Sequence, residues 1–116
     1  MKTTAQEFPV RRDKIIRAPV HPGVFFERNI LPEFRRQRRT IGEIARLLDV
    51  RRQTLHRVTT GQAAVTPEMA ARLGKLCGNG PDLWLNLQAR YDAWEVTHRL
   101  ADVLKKIPTL SEESAI

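Results

Sequence analysis

The chain has 116 residues, of which 41% are hydrophobic, which is enough for one compact domain with a modest core but not for two domains. Lysine and arginine number 20 against 13 acidic residues, so the formal net charge is +7 and a polyanionic partner is favoured. No run approaches the roughly 18 apolar residues of a membrane span, and no early apolar block resembles a signal peptide. We therefore expect a cytoplasmic protein with no membrane partner, and its single cysteine, Cys77, excludes an internal disulfide.

Both ends of the chain lack a sustained helical or strand pattern. We expect residues 1–20 to form a flexible arm, whose Arg11, Arg12, Lys14 and Arg17 are available to phosphates or to a protein partner. A single domain is expected over residues 21–107, followed by a flexible tail over residues 108–116.

The first predicted helix begins at His21 and Pro22, and its apolar residues include Val24, Phe25, Ile30 and Leu31. Pro32 ends or bends it. A basic stretch follows, and the segment from Arg35 to Arg57 holds eight arginines against Glu43 and Asp49, a net charge of +6. Two interpretations of the first of these arginines stay open, a solvated surface or a set of phosphate contacts made by Arg35, Arg36, Arg38 and Arg39.

Two short helical patterns occupy Thr40 to Gly61. In the first, Ile41, Ile44, Ala45 and Leu48 form one apolar stripe, and Thr40 with Glu43 has the spacing of a capping box. The second offers only Leu55 and Val58 to a core, and Gly61 ends it. Its other side chains point outward, namely Arg51, Arg52, Gln53, Thr54, His56 and Arg57. This arrangement predicts a helix-turn-helix directed at DNA.

Two further helices are predicted. Thr66 and Pro67 start one that Met69, Ala70, Leu73, Leu76 and Cys77 line until Gly78. Pro81 starts the longest, in which Leu83, Trp84, Leu87, Tyr91 and Trp94 recur at helical spacing. With no alternating strand pattern, the expected fold is all-α, a compact five-helix domain with an extended C-terminal helix.

The apolar residues of the last helix suit a core, a pocket or a dimer interface. We expect Trp84 and Leu87 to pack in the core. More apolar surface follows than a domain of this size needs to cover, so we expect dimerisation through Trp94, Leu100, Val103 and Leu104. A two-fold dimer presents two recognition helices about 34 Å apart, one turn of DNA.

Catalytic chemistry finds little support in the sequence. His21, His56 and His98 fall in different elements, and no metal-ligand spacing, glycine-rich phosphate loop or nucleophile motif accompanies them. We therefore expect no enzyme activity, no catalytic residues, no cofactor and no bound metal.

Four segments together resemble one known family. They are His21-Pro22-Gly23, the helix-turn-helix, Val65-Thr66-Pro67 with the A-A-R-L that follows, and P-D-L-W-L-N-L-Q-A-R-Y-D from Pro81 to Asp92. Over residues 20–96 the chain resembles the HigA-type antitoxins, within the phage-repressor-like (XRE) helix-turn-helix class. The resemblance implies a phage-repressor-like fold. It also implies an antitoxin that binds double-stranded operator DNA as a homodimer, represses its own operon and neutralises a RelE-like toxin that cleaves mRNA.

Carried over by position, the resemblance places Arg51, Arg52, Gln53, His56 and Arg57 on the outward face of a recognition helix. Arg52, Gln53 and Arg57 are expected to read bases, because Arg pairs with guanine N7 and O6 and Gln with adenine N6 and N7. Arg51 and Thr54 are expected at phosphates, and Thr40 has a hydroxyl that can donate to one.

The chain departs from the family pattern at three places. One is the stretch from Glu33 to Arg39, which is a few residues longer than usual and far more basic, and which is expected to replace phosphate contacts that are lost elsewhere. The joint between the two helices usually reads Gly, apolar, Ser, and here it reads Asp49, Val50, Arg51; a common phosphate-contacting Gln is replaced by Ile41. Two other functions also stay open, a stand-alone XRE-type transcriptional regulator and an inhibitor of a partner protein whose DNA binding is vestigial.

Overall fold

A computed structural model describes residues 18–110. Its helices are α1 (Pro22–Asn29), α2 (Leu31–Arg36), α3 (Ile41–Leu48), α4 (Arg52–Thr59), α5 (Pro67–Cys77), α6 (Pro81–Arg99) and α7 (Ala101–Lys105). No strand occurs between residues 18 and 110, so the all-α prediction is confirmed. Most of the predicted arm, with Arg11, Arg12, Lys14 and Arg17, and the tail from residue 111 lie outside the described residues.

Local signals in the sequence set the helix ends. The Thr40 hydroxyl accepts from the Glu43 N–H at 3.1 Å, and the Glu43 carboxylate accepts from the Thr40 N–H at 2.7 Å, so the predicted capping box begins α3. Thr66 caps α5 through the Met69 N–H at 3.2 Å. Gly78, with φ of 77°, ends α5 in the left-handed conformation that glycine adopts without strain.

The core draws buried apolar side chains from each of the helices α1 to α6. Trp84 on α6 is fully buried, as predicted, and its ring makes edge-on contacts with Phe25 and Phe26 of α1, at 6.0 Å between centroids in each case. Its indole N–H donates to the Asn79 side chain at 3.0 Å, which satisfies the one polar group that the ring brings into the core. Cys77 packs partly buried at the edge of this core, and burial raises the pKa of its thiol.

Two predicted helices are each divided in the structure. The first breaks at Ile30, because Pro32 has no N–H to continue the helical hydrogen bonds and instead lies in the first turn of α2. The basic stretch therefore begins as helix rather than as a connecting segment. The last predicted helix breaks at Leu100, which has φ of −102° and ψ of 20° and separates α6 from the single turn of α7. No proline or glycine marks this second break.

Candidate nucleic-acid interface

The short helix α4 has one buried and one exposed side. Leu55 and Val58 are 0% and 2% exposed, and Thr59 is also buried. The side chains predicted to point outward are all exposed, namely Arg51, Arg52, Gln53, Thr54, His56 and Arg57. The structure therefore brings these six residues together on one accessible surface, as the narrow apolar stripe requires.

The turn between α3 and α4 forms without the usual glycine and serine. Asp49 takes the left-handed conformation, with φ of 60°, which aspartate tolerates better than most residues. Arg51 stands at the N-cap of α4 and makes no capping hydrogen bond through its side chain. The first N–H groups of α4 are thus left without a side-chain acceptor from the cap, at the end of the helix where the dipole favours anions.

Arg72 on α5 supports this turn from a distance in sequence. Its guanidinium donates to the Leu48 carbonyl at 2.8 Å and to the Asp49 carbonyl at 3.3 Å, and it lies 3.8 Å from the Asp49 carboxylate. These bonds satisfy carbonyls at the C-terminal end of α3. This role was not predicted, although Arg72 is the arginine of the A-A-R-L segment that contributes to the family resemblance.

The far end of α4 is also closed by local hydrogen bonds. The hydroxyls of Thr59 and Thr60 donate to the His56 carbonyl at 3.0 and 2.9 Å. Gly61, with φ of 81°, turns the chain so that the Gln62 N–H reaches the Arg57 carbonyl at 2.8 Å. Both ends of α4 are therefore fixed while its outer face stays accessible.

The start of α3 lies beside the exposed face of α4. Ile41 lines a shallow groove of about 320 Å³ together with Arg52, Gln53 and His56. Thr40, directly before Ile41, is exposed. The predicted phosphate contact and the predicted base-reading residues therefore border the same surface.

The positive charge on the outer side of α4 is not neutralised by carboxylates in the described part of the chain. Among residues 18–110, no carboxylate forms an ion pair with Arg51, Arg52 or Arg57. Arg35 and Arg36 differ, because they pair with Glu27 at 3.1 Å and with Glu33 respectively. The arginines of α4 thus leave a concentrated positive surface on the outer side of α4.

His21 has a structural position, as its place at the helix start predicts. It is 6% exposed, and its Nδ1 accepts from the Gly23 N–H at 2.9 Å, capping α1. Its ring contacts the edge of Tyr91 at 5.0 Å between centroids. Burial lowers the pKa of His21, opposed by a backbone hydrogen bond with Ala63 and by the charge of Asp92. No cluster of His, Cys, Asp and Glu suited to a metal ion occurs within the described part of the chain.

The residues predicted to form a dimer interface differ in exposure. Trp94 and Leu100 are partly buried, whereas Val103 and Leu104 are 51% and 41% exposed. Ile107 and Leu110, which are not among the predicted interface residues, are exposed as well. The end of the described chain therefore carries a series of uncovered apolar side chains. None of the helices between residues 18 and 110 is both long and apolar enough to cross a membrane.

Comparison with known proteins gives relatives by sequence, although no protein-family model matches the chain. YbaQ of Escherichia coli K12, an uncharacterized HTH-type transcriptional regulator, is 40% identical over 74 residues, which are 62% of this chain and 66% of YbaQ. A similar regulator of Haemophilus influenzae is 40% identical over 58 residues, 50% of this chain and 54% of that protein. The chain thus spans between about half and two thirds of the length of these curated relatives.

Solved structures match over greater lengths. The Pseudomonas aeruginosa antitoxin HigA, in a structure with the higBA promoter, gives a TM-score of 0.73 at 26% identity, covering 80% of this chain and 99% of that one. A putative antidote protein of a plasmid maintenance system from Nostoc punctiforme is 35% identical with a TM-score of 0.65, covering 82% of this chain and 100% of that one. The overall helical fold is therefore shared with these proteins.

Proposed function

This chain belongs to the HigA-type antitoxins of the phage-repressor-like (XRE) helix-turn-helix family, and we propose that it binds operator DNA as a homodimer, represses its own operon and neutralises a RelE-like toxin by direct binding. The observation that carries the DNA-binding part is the outer face of α4, where exposed basic and amide side chains lie without carboxylate partners in the described structure. A cytoplasmic location and action by binding rather than catalysis are parts of the same proposal.

Base reading is assigned to the outer face of α4 in the major groove. Arg52 and Gln53 lie in its first turn, the part of a recognition helix that approaches base edges. Arg57 lies on the same exposed side one turn later. Arginine makes paired hydrogen bonds to guanine N7 and O6, and glutamine to adenine N6 and N7, so these three residues determine the preferred sequence.

Phosphate contacts flank this base-reading surface. Arg51 and Thr54 are exposed beside Arg52 and Gln53, and the uncapped first turn of α4 offers N–H donors at the positive end of the helix dipole. The Thr40 oxygen accepts from Glu43, but its own hydroxyl hydrogen is still free to donate to a phosphate oxygen. These contacts orient the helix without reading sequence.

Dimerisation is assigned to the end of α6 and to α7. Trp94, Leu100, Val103 and Leu104 would bury their apolar surface against a second copy in a self-complementary, two-fold contact. Changing Val103 and Leu104 to aspartate would place charges in that contact. Analytical ultracentrifugation should then show a monomer where the wild type is a dimer, and a wild type that is monomeric at micromolar concentration would contradict the assignment.

Operator repression is tested by footprinting on the DNA upstream of the protein's own gene. A two-fold dimer should protect two half-sites whose centres lie about 10 base pairs apart on one face of the duplex. Protection of a single half-site would contradict binding as a dimer. No protection at all would contradict the proposed repression of the operon.

The toxin-binding part is supported by the antitoxin relatives, and one second candidate has support of its own. Relatives such as YbaQ are described as transcriptional regulators, which favours a stand-alone regulator without a toxin. Coexpression decides between the two. A small RNase encoded beside this gene should arrest growth alone and lose that effect when this protein is present, and copurification should recover a complex. A neighbouring gene product without toxicity would favour the stand-alone regulator.

A further inference from the structure

Four arginines precede the helix-turn-helix, and they differ in whether a carboxylate pairs with them. They are Arg35, Arg36, Arg38 and Arg39. Arg35 donates to the Glu27 carboxylate at 3.1 Å, and Arg36 pairs with Glu33 one turn earlier on α2. For Arg38 and Arg39 the described residues supply no carboxylate partner, and both are exposed. Two of the four charges are therefore locally neutralised and two are not.

Arg38 also has a backbone conformation that is unusual for its residue type. Its φ is 63°, in the left-handed region where the Cβ of any L-residue is crowded and where glycine is the ordinary choice. The turn is well formed around it, since the Arg38 N–H donates to the Arg35 carbonyl at 2.9 Å and the Arg39 N–H to the Phe34 carbonyl at 3.0 Å. An arginine thus occupies a position where its side chain carries a conformational cost, which suggests a use for the guanidinium.

The position of this pair relative to α4 points to that use. Arg38 and Arg39 lead through Thr40 into Ile41, which lines the groove that also holds Arg52, Gln53 and His56. Two residues of chain span at most about 7 Å, so Arg39 lies within one side-chain length of the base-reading surface. It is placed to reach the sugar-phosphate backbone beside the bases that α4 reads.

We infer that Arg38 and Arg39 form a second phosphate-binding site, which holds the DNA backbone next to the bases read by α4. The inference rests on the proposed DNA binding and assigns the role to this pair, while Arg35 and Arg36 act within the fold through Glu27 and Glu33. Because phosphate carries no sequence information, the site strengthens binding to any duplex, whereas Arg52 and Arg57 distinguish the operator from other DNA.

The test is the salt dependence of DNA binding by two charge-matched double variants. One is Arg38→Gly with Arg39→Gln, and the control is Arg35→Gln with Arg36→Gln; each removes two positive charges. Dissociation constants are measured by fluorescence anisotropy between 50 and 200 mM salt, with a duplex from the protein's own promoter and a scrambled duplex of equal length. Each lost phosphate contact should lower the slope of log K against log salt by about 0.9.

We expect the Arg38 and Arg39 variant to lose about 1.8 units of slope on both duplexes, from two contacts, and the control to lose far less. Arg38→Gly alone should bind DNA more weakly while unfolding at an equal or higher temperature, because glycine relieves the left-handed strain. Arg38→Lys keeps the charge and should keep most of the slope. These two variants separate loss of a contact from loss of the fold.

Equal slopes for the two double variants, or an unchanged slope in the first, would overturn the second phosphate site while leaving operator binding by α4 intact. If the wild-type protein binds neither duplex, the proposed function fails and this inference fails with it. If the wild type binds the operator with a steep salt dependence and the variants show the same salt dependence, the second phosphate site is contradicted while the proposed function stands.

Discussion

Gly23 of α1 lies so close to Val58 of α4 that a Cβ atom on the glycine would be 1.7 Å from the Val58 carbonyl oxygen. The obstructing atom belongs to the backbone of α4 and cannot rotate away as a side chain would. The backbones of α1 and α4 are therefore in direct contact. This contact fixes the depth at which the inner side of α4 sits, and with it the position of the exposed arginines on the outer side.

Gly23→Ala should destabilise the protein, because the methyl group requires α1 and α4 to separate. Overpacking of this kind costs about 1–3 kcal/mol, and the backbone overlap places this case at the upper end. Urea unfolding followed by circular dichroism measures the change. Gly42→Ala on α3 is the matched control. The nearest atom to a Cβ at this position is the Thr40 Oγ1 at 3.8 Å, and alanine favours helix. Equal stability of the Gly23 variant and the wild type would contradict the contact.

The stability of the fold should depend on pH through His21. Burial lowers the pKa of His21 in the folded state below its ordinary value of 6.5, so the unfolded chain binds a proton more readily. Above about pH 6.5, His21 should therefore cause no loss of unfolding free energy. The unfolding free energy should decrease as the pH falls below that value towards the lowered pKa. The Asp92 charge and the Ala63 backbone oppose this shift, and Tyr91 packs against the ring.

His21→Asn separates the cap from the titration, because the asparagine side chain accepts the Gly23 N–H as the imidazole does but does not ionise. Urea unfolding at pH 7.5 and pH 5.5 should show a smaller loss for this variant than for the wild type. The same loss in both proteins would assign the pH dependence to other groups.

Loss of the capping box should weaken the start of α3. In Thr40→Ala the Glu43 N–H loses its acceptor, at a cost of about 1 kcal/mol in unfolding free energy. Thr97→Ala, at an exposed position on α6, is the control and should leave the unfolding free energy nearly unchanged. Chemical denaturation of both variants measures the difference, and a cost as small as that of the control would show that the cap does not contribute.

Gln88 should be required for the docking of α6 on the loop before α5. It is 7% exposed, accepts from the Val65 N–H at 2.7 Å and donates to the Asp92 carboxylate at 2.8 Å. Gln88→Leu leaves a buried N–H without a partner, which costs about 1–3 kcal/mol. Thermal unfolding would compare it with Asn86→Leu at an exposed position on the same helix. A Tm as high as that of the Asn86 variant would contradict the role of this bond.

Local signals account for the features that the sequence could predict. The capping box at Thr40 and the outward face of α4 depend on residues within one or two turns of each other, so periodicity and capping rules are sufficient. Trp84 was recognised as core for the same reason, because it lies on a long stripe of apolar residues.

Contacts between distant segments could not be predicted in this way. Arg72 supports a turn 23 residues earlier, and Gln88 caps an N–H 23 residues earlier, yet each looks like an ordinary surface residue in its own helix. The pairing of Arg35 with Glu27 depends on the break at Ile30, which turns α2 back towards α1. Counting charges along the sequence therefore overestimates the unpaired positive charge of the basic stretch, because Arg35 and Arg36 form ion pairs.

The most direct test of the central claim is a titration of promoter DNA with wild-type protein and with Arg52→Ala and Arg57→Ala. Binding to the protein's own promoter duplex and to a scrambled duplex is measured at two salt concentrations, with Arg99→Ala, on α6 and paired with Glu95, as the control. We predict specific binding that falls steeply with salt, an unchanged control, and a loss of about 1–3 kcal/mol for each α4 variant on the promoter alone. Equal binding of the wild type to both duplexes, or no binding to either, would contradict operator recognition by α4.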